Sequence, residues 1–167
     1  MSETRPQTFL GIDPGFTGAY AVLEPSGAVF VTDLPVMKVG HKLWYDLPAL
    51  RDGLRYWAGK ALGLYAAVEL VHAFPGQGVV SMWRMGYSTG VLEGLLTACE
   101  IPFERVSPQR WQQVMLDGFP KGTQGKDVSR YRAQALFPTA SLGRQKDHGR
   151  ADALLIAEWM RRQWVGH

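Results

Sequence analysis

Thr8-Phe9-Leu10-Gly11-Ile12-Asp13-Pro14-Gly15-Phe16-Thr17-Gly18-Ala19-Tyr20-Ala21-Val22-Leu23 holds two apolar runs joined by a single carboxylate and a Pro-Gly turn. Runs of this length bounded by Gly and Pro read as two strands of a hairpin. Asp13 falls where the first strand leaves the sheet. A carboxylate at a buried strand end needs a positive partner, often a metal. Gly15 and Gly18 leave room beside it for a phosphate, a metal or a backbone. The plain alternative is a solvated Asp at an ordinary strand end.

Working outward, strands are expected at 8–13, 18–24 and 28–33, with Pro25-Ser26-Gly27 as the second turn. Residues 1–7 read as a loose arm and 35–43 as loop. Asp46 can cap a helix to about Gly59, with Leu47, Leu50, Leu54 and Trp57 on one face. Leu64 to Leu70 reads as a fourth strand and Ile101 to Val106 as a fifth. Between them, 80–99 reads as a long, well-buried helix, because Lys, Arg and Glu are sparse in it. Helices at 108–116 and 127–137 flank a loop at 118–125, and a last helix covers 149–163. The order is an α/β pattern. It is also the order of the ribonuclease H-like fold. The expectation is one domain over 1–167, built on a mixed five-stranded sheet. A three-stranded antiparallel unit is extended there by parallel crossover strands and flanked by helices.

The 167 residues suffice for a real core, and 46% hydrophobic with 20% charged residues is a globular composition. No apolar run reaches membrane-spanning length and no secretory signal opens the chain. Cys99 is alone, so no internal disulfide forms and a reducing compartment is expected, the cytoplasm of a bacterium or of a phage host. Charge is uneven. Residues 1–104 carry 7 Lys and Arg against 10 Asp and Glu, and residues 105–167 carry 11 against 5. A basic C-terminal half suits a polyanion, although a solvated basic face is the plainer reading.

Two more acids stand out. Glu69 sits in the apolar strand Ala66-Ala67-Val68-Glu69-Leu70 with no Lys or Arg near it in sequence. Ionised Glu there is costly unless it binds something positive, a metal or a distant Arg. In Asp147-His148-Gly149-Arg150-Ala151-Asp152, His148 and Asp152 are four apart and share a helix face. Asp147 suits an N-cap. His148 reads either as a ligand or as a helix-start residue bonded locally. Three isolated acids and one His suit divalent ions with hard oxygen ligands, Mg²⁺ or Mn²⁺. Two such ions, about 3.5–4 Å apart, can activate water and stabilise the leaving oxygen of a phosphodiester. The residues alone point to a metal-dependent nuclease or phosphotransferase.

Gly11-Ile12-Asp13-Pro14-Gly15, Val68-Glu69 and His148-Gly149-Arg150-Ala151-Asp152-Ala153-Leu154 together resemble the motifs of the RuvC-like Holliday junction resolvases, within the ribonuclease H-like nucleases. Phe74-Pro75-Gly76, the run Trp83 to Gly90, Lys126-Asp127-Val128-Ser129-Arg130 and Leu136-Phe137-Pro138 are similar to the branch holding the chloroplast resolvase and its phage and bacterial relatives. The resemblance spans roughly residues 9 to 160. It implies structure-selective hydrolysis at four-way DNA junctions by a homodimer with two Mg²⁺ or Mn²⁺ ions per site. Asp13, Glu69 and Asp152 match the metal-binding, catalytic acids, and His148 stands where some relatives have a further Asp.

Weaker assignments follow. Phe74 is either a wedge that stacks on opened bases or a core aromatic. Gly86, Gly90 and Gly94 form a flat helix stripe for the sheet or for a second subunit. Lys121, Lys126, Arg130 and Arg132 are phosphate-contact candidates. Arg144, Lys146 and Arg150 lie beside the metal site. The implied partners are junction DNA and a second copy, without membrane or nucleotide cofactor. Another ribonuclease H-like nuclease acting on branched or hybrid nucleic acid, or a non-cleaving junction-binding protein, remains an alternative. An actin-like ATPase also opens with a Gly-Ile-Asp hairpin, but it needs a second lobe for which this length leaves no room.

Overall fold

The computed structural model describes residues 7–119 and 125–165, with the side chains of 125 and 126 left aside. The loose-arm assignment for 1–6 and the loop at 120–124 lie outside the described residues. Strands β1 (Thr8–Asp13), β2 (Ala19–Leu23) and β3 (Val29–Asp33) form an antiparallel meander. Strands β6 (Leu64–Glu69) and β7 (Phe103–Val106) then add parallel to β1, giving the order β3-β2-β1-β6-β7. This is the mixed five-stranded sheet read from the sequence.

The central strands are apolar because both their faces are covered. Leu10, Ile12, Val22, Ala66 and Val68 point to one face, against Leu50, Leu54 and Trp57 of α1 (Leu47–Lys60) and Leu92 and Leu96 of α2 (Val79–Ala98). Phe9, Ala19, Ala21 and Ala67 point to the other, beneath α5 (His148–Val165), with Trp111 and Met115 of α3 (Pro108–Met115) and Ala133 of α4 (Gly125–Leu136) packed alongside. Asp46 caps α1 as expected, its Oδ1 accepting from the Ala49 N–H at 3.1 Å. Leu47, expected on the buried face, is 42% exposed instead. It lies in the first turn, before α1 meets the sheet.

Two expectations change. Residues 35–43, read as loop, carry a second, two-stranded sheet: β4 (Val36–Val39) paired antiparallel with β5 (Lys42–Tyr45) around Gly40-His41. Gly40 takes the positive φ of 61° that a two-residue hairpin turn demands. Both strands are largely exposed, so no buried alternation betrayed them. Helix α2 was expected to be well buried. Only Ser88, Leu92 and Leu96 are, and Val79, Val80 and Trp83 are 76%, 67% and 53% exposed. The scarcity of charge in α2 therefore marks an apolar surface and not a core helix. Among the described residues, no helix is long and apolar enough to cross a membrane.

Candidate metal centre

Register builds the site. Ile12 pairs with Val68 in the parallel β1–β6 ladder, so the next residues, Asp13 and Glu69, emerge side by side at the strands' C-terminal ends. Strand alternation aims both at the face that α5 covers, the face of Phe9 and Ala67. Helix α5 comes close there because Gly11 and Gly149 let it. A Cβ on Gly11 would meet the Ala153 carbonyl oxygen at 2.1 Å and the Ala157 nitrogen at 2.4 Å. A Cβ on Gly149 would meet the Thr17 carbonyl oxygen at 2.8 Å and Asp13 Oδ2 at 3.0 Å. The first turn of α5, with His148 and Asp152, is thereby seated over Asp13.

The three carboxylates act on one another. Asp13 is pushed well above the usual carboxylate range, first by burial, then by the Asp152 and Glu69 charges. Burial raises Glu69 too; the Trp111 indole opposes this and the Asp152 charge adds to it. Asp13, Glu69, His148 and Asp152 are each half-buried. Like charges gathered at a half-buried strand end lower their energy by binding cations. Among the described residues no three His, Cys, Asp or Glu side chains meet at metal-holding distances. The acids repel one another across the site without closing a shell.

Sequence reasoning missed Trp111. Its Nε1 donates to Glu69 Oε1 at 2.8 Å from a fully buried ring. Ser107 and Pro108 announce the start of α3, but nothing local tells that its indole reaches a strand 42 residues away. A second missed feature joins the start of α5 to β3. Asp147, only 1% exposed, accepts from the Arg144 backbone N–H at 2.8 Å and from Arg144 Nε at 2.6 Å. Its carboxylate thus clamps the preceding loop. The Arg144 Nη2 and the Arg150 Nε then both reach Asp33, at 2.9 and 2.6 Å.

That network relocates several candidates for phosphate contact. Arg144 and Arg150 are ion-paired to Asp33 and Asp147. Arg132 donates to the Met115 and Asp117 carbonyl oxygens and braces α3 against α4. Arg130 pairs with Asp127 at 3.3 Å. Lys146 is exposed. Lys121 and the side chain of Lys126 lie outside the described residues. Phe74 is 63% exposed on the loop after β6 and so is no core aromatic. Gly86, Gly90 and Gly94 are exposed, and a Cβ on any of them would meet nothing within 4 Å, so the stripe does not serve the sheet. A cavity of about 650 Å³ lies away from these acids, around Glu158 and Arg161 further along α5. A smaller cleft of about 290 Å³ opens beside the site, between Pro14-Gly15-Phe16-Thr17 and Arg84.

In structure, the chain is similar to Thermus thermophilus RuvC in complex with a Holliday junction substrate, with a TM-score of 0.57 at 15% identity over 94% of this chain and 96% of that one. Free T. thermophilus RuvC gives a TM-score of 0.52 at 17% identity over the same shares. The chain has the RuvC fold. In sequence, it is 39% identical over 102 residues to the chloroplastic Holliday junction resolvase MOC1 of Chlamydomonas reinhardtii. That match takes in 60% of this chain and 11% of the curated relative, so the chain spans about a tenth of that protein's length. No protein-family model matches.

Proposed function

We propose that this protein is a Holliday junction resolvase, a metal-dependent endonuclease that hydrolyses phosphodiesters at four-way DNA junctions. The observation that carries the reading is the set of three half-buried carboxylates, Asp13, Glu69 and Asp152, brought from two strands and a helix into mutual repulsion on a RuvC fold. Asp13, Glu69 and Asp152, with His148 beside them, would hold two Mg²⁺ or Mn²⁺ ions. When bound, the ions would supply the activation of water and the stabilisation of the leaving oxygen. The carboxylates must shed their protons to bind, and burial together with repulsion makes that release harder for Asp13 and Glu69. The Trp111 N–H favours the ionised form of Glu69 and fixes its orientation. The clamp from Asp33 through Arg144 to Asp147 fixes the start of α5, and with it His148 and Asp152. The exposed ring of Phe74 would stack on bases opened at the junction.

Two opposed cuts call for two sites, and α2 offers the surface for a homodimer. Val79, Val80 and Trp83 extend the glycine stripe into an uncharged face, on which a second backbone can approach closely. A reducing compartment, the cytoplasm of a bacterium or phage host, suits the single Cys99.

Labelled four-way, flap and duplex DNAs incubated with the protein in Mg²⁺ or Mn²⁺ test the reading. Paired, symmetric cuts in the four-way substrate alone are expected, lost in Asp13→Asn while binding persists. Preferred cutting of the flap would mark a different ribonuclease H-like nuclease. Binding without cutting in either metal would leave a junction-binding protein.

A further inference from the structure

We propose that Tyr45 is a positioning residue for the metal centre: its hydroxyl holds the loop that carries Asp13 in the place where a cation is bound. The inference rests on the reading of Asp13 as a metal ligand. Tyr45 closes β5 of the small hairpin and is 2% exposed, though the hairpin itself is largely bare. The Gly15 N–H, two residues past Asp13, donates to the Tyr45 hydroxyl at 2.9 Å across 30 residues of chain. The buried Ser88 hydroxyl of α2 acts on the same oxygen, as does the Asp13 charge.

The ring is as well held as the hydroxyl. It meets Phe16 edge-on at 5.1 Å and stacks on Tyr87 of α2 at 6.0 Å. Arg84 covers the Phe16 ring at 5.9 Å. The loop after Asp13 is thus fastened from the hairpin and α2 at both Gly15 and Phe16. From the opposite side Gly149 packs on the Thr17 carbonyl. A ligand on a strand end is only as well placed as the turn that follows it. Metal sites tolerate only about half an ångström of error. Tyr45 lies on no strand of the central sheet and reaches Asp13 through the loop that Gly15 anchors. Its hydroxyl therefore acts by placement.

The test is Mn²⁺ binding by calorimetry without DNA, so that cleavage plays no part. Tyr45→Phe keeps the ring packing and removes the oxygen. It is expected to weaken Mn²⁺ binding about five- to tenfold, the worth of one net hydrogen bond, while junction binding in EDTA is unchanged. Ser88→Ala, which leaves Tyr45 intact, is expected to weaken Mn²⁺ in the same direction by less. Trp57→Phe, on the buried face of α1, lowers thermal stability and is expected to leave Mn²⁺ affinity alone. Wild-type Mn²⁺ affinity in Tyr45→Phe, or in Ser88→Ala should Tyr45→Phe not fold, overturns the proposal. So does an equal loss in Trp57→Phe, which would reduce the effect to general destabilisation. Undiminished Mn²⁺ binding by Asp13→Asn would instead overturn the metal reading beneath it.

Discussion

Trp111→Phe is the sharpest probe of how the fold sets the chemistry of its acids. The indole donates to Glu69 Oε1 at 2.8 Å and is fully buried. Burial raises the Glu69 carboxyl, the Trp111 N–H pulls it back, and the Asp152 charge raises it again. Removing the N–H leaves Glu69 higher still. A carboxyl whose folded value is raised destabilises the fold once pH climbs above its unfolded value, near 4.3. The Trp111→Phe penalty should therefore be larger at pH 8 than at pH 4. A hydrogen bond to a charged group is worth about 1.5–3 kcal/mol. Trimming a buried ring adds a cavity cost, bringing the loss at neutral pH to roughly 2–5 kcal/mol. At about 2–4 °C per kcal/mol for a chain of this size, melting should fall by some 5–15 °C. Near pH 6, where the proton competes with the cation, Mn²⁺ affinity should fall about tenfold, equivalent to about 1.4 kcal/mol, and by less at pH 8. Melting curves at both pH values and Mn²⁺ calorimetry decide the matter. A pH-independent loss of stability with unchanged Mn²⁺ affinity at pH 6 would refute the argument and leave Trp111 as packing alone.

Other outcomes follow from the same geometry. Asp13 is raised by burial and by its two acidic neighbours, so in EDTA at pH 7 Asp13→Asn should melt above the wild type by at least about 2–4 °C. The gain should vanish below the usual carboxylate range, and equal melting at pH 7 would refute the repulsion. His148→Ala should weaken both Mn²⁺ binding and cleavage, whereas His148→Asp should keep cleavage and improve the use of Mg²⁺ by restoring a hard ligand; rate against metal concentration separates a ligand from a helix-start residue, for which the curves would coincide. Gly90→Arg should leave melting within about 0.5 kcal/mol, since a Cβ there meets nothing, yet yield a monomer by light scattering; a persisting dimer would move the interface elsewhere. Junction affinity should fall steeply between low and moderate salt as phosphate contacts release counterions, and a flat response in a filter-binding titration would count against a polyanion partner.

Strand and helix order was legible because each central element announces itself locally, by apolar runs broken at Gly and Pro. The acids were legible for a related reason: Asp13, Glu69 and Asp152 interrupt those runs where packing alone would not put them. What stayed hidden is what depends on contacts between distant segments. The β4–β5 hairpin alternates weakly because, of its strand residues, Tyr45 alone is buried in the core. The exposure of α2 hid behind its apolar composition, since sequence reports how apolar a face is and not what covers it. The indole of Trp111 reaching Glu69, and the guanidinium groups of Arg144 and Arg150 meeting Asp33, are matters of tertiary placement.

The basic C-terminal half shows why the distinction matters for function. As a tally it reads as a polyanion surface, yet many of its charges are engaged within the fold. Arg161 and Arg162 neutralise the buried Glu158, and Arg144 and Arg150 tie the loop before α5 to β3. The Glu158 pairs run along α5, the helix that carries Asp152, while Arg144 and Asp147 fix its start. The charge asymmetry of the sequence is thus in large part scaffolding for an acidic centre. Helix α5 can be pressed so close only because positions 11 and 149 lack side chains. A glycine on β1 and a glycine on α5 together bring Asp152 close enough to act on Asp13 beside Glu69, a repulsion that a proton or a cation relieves.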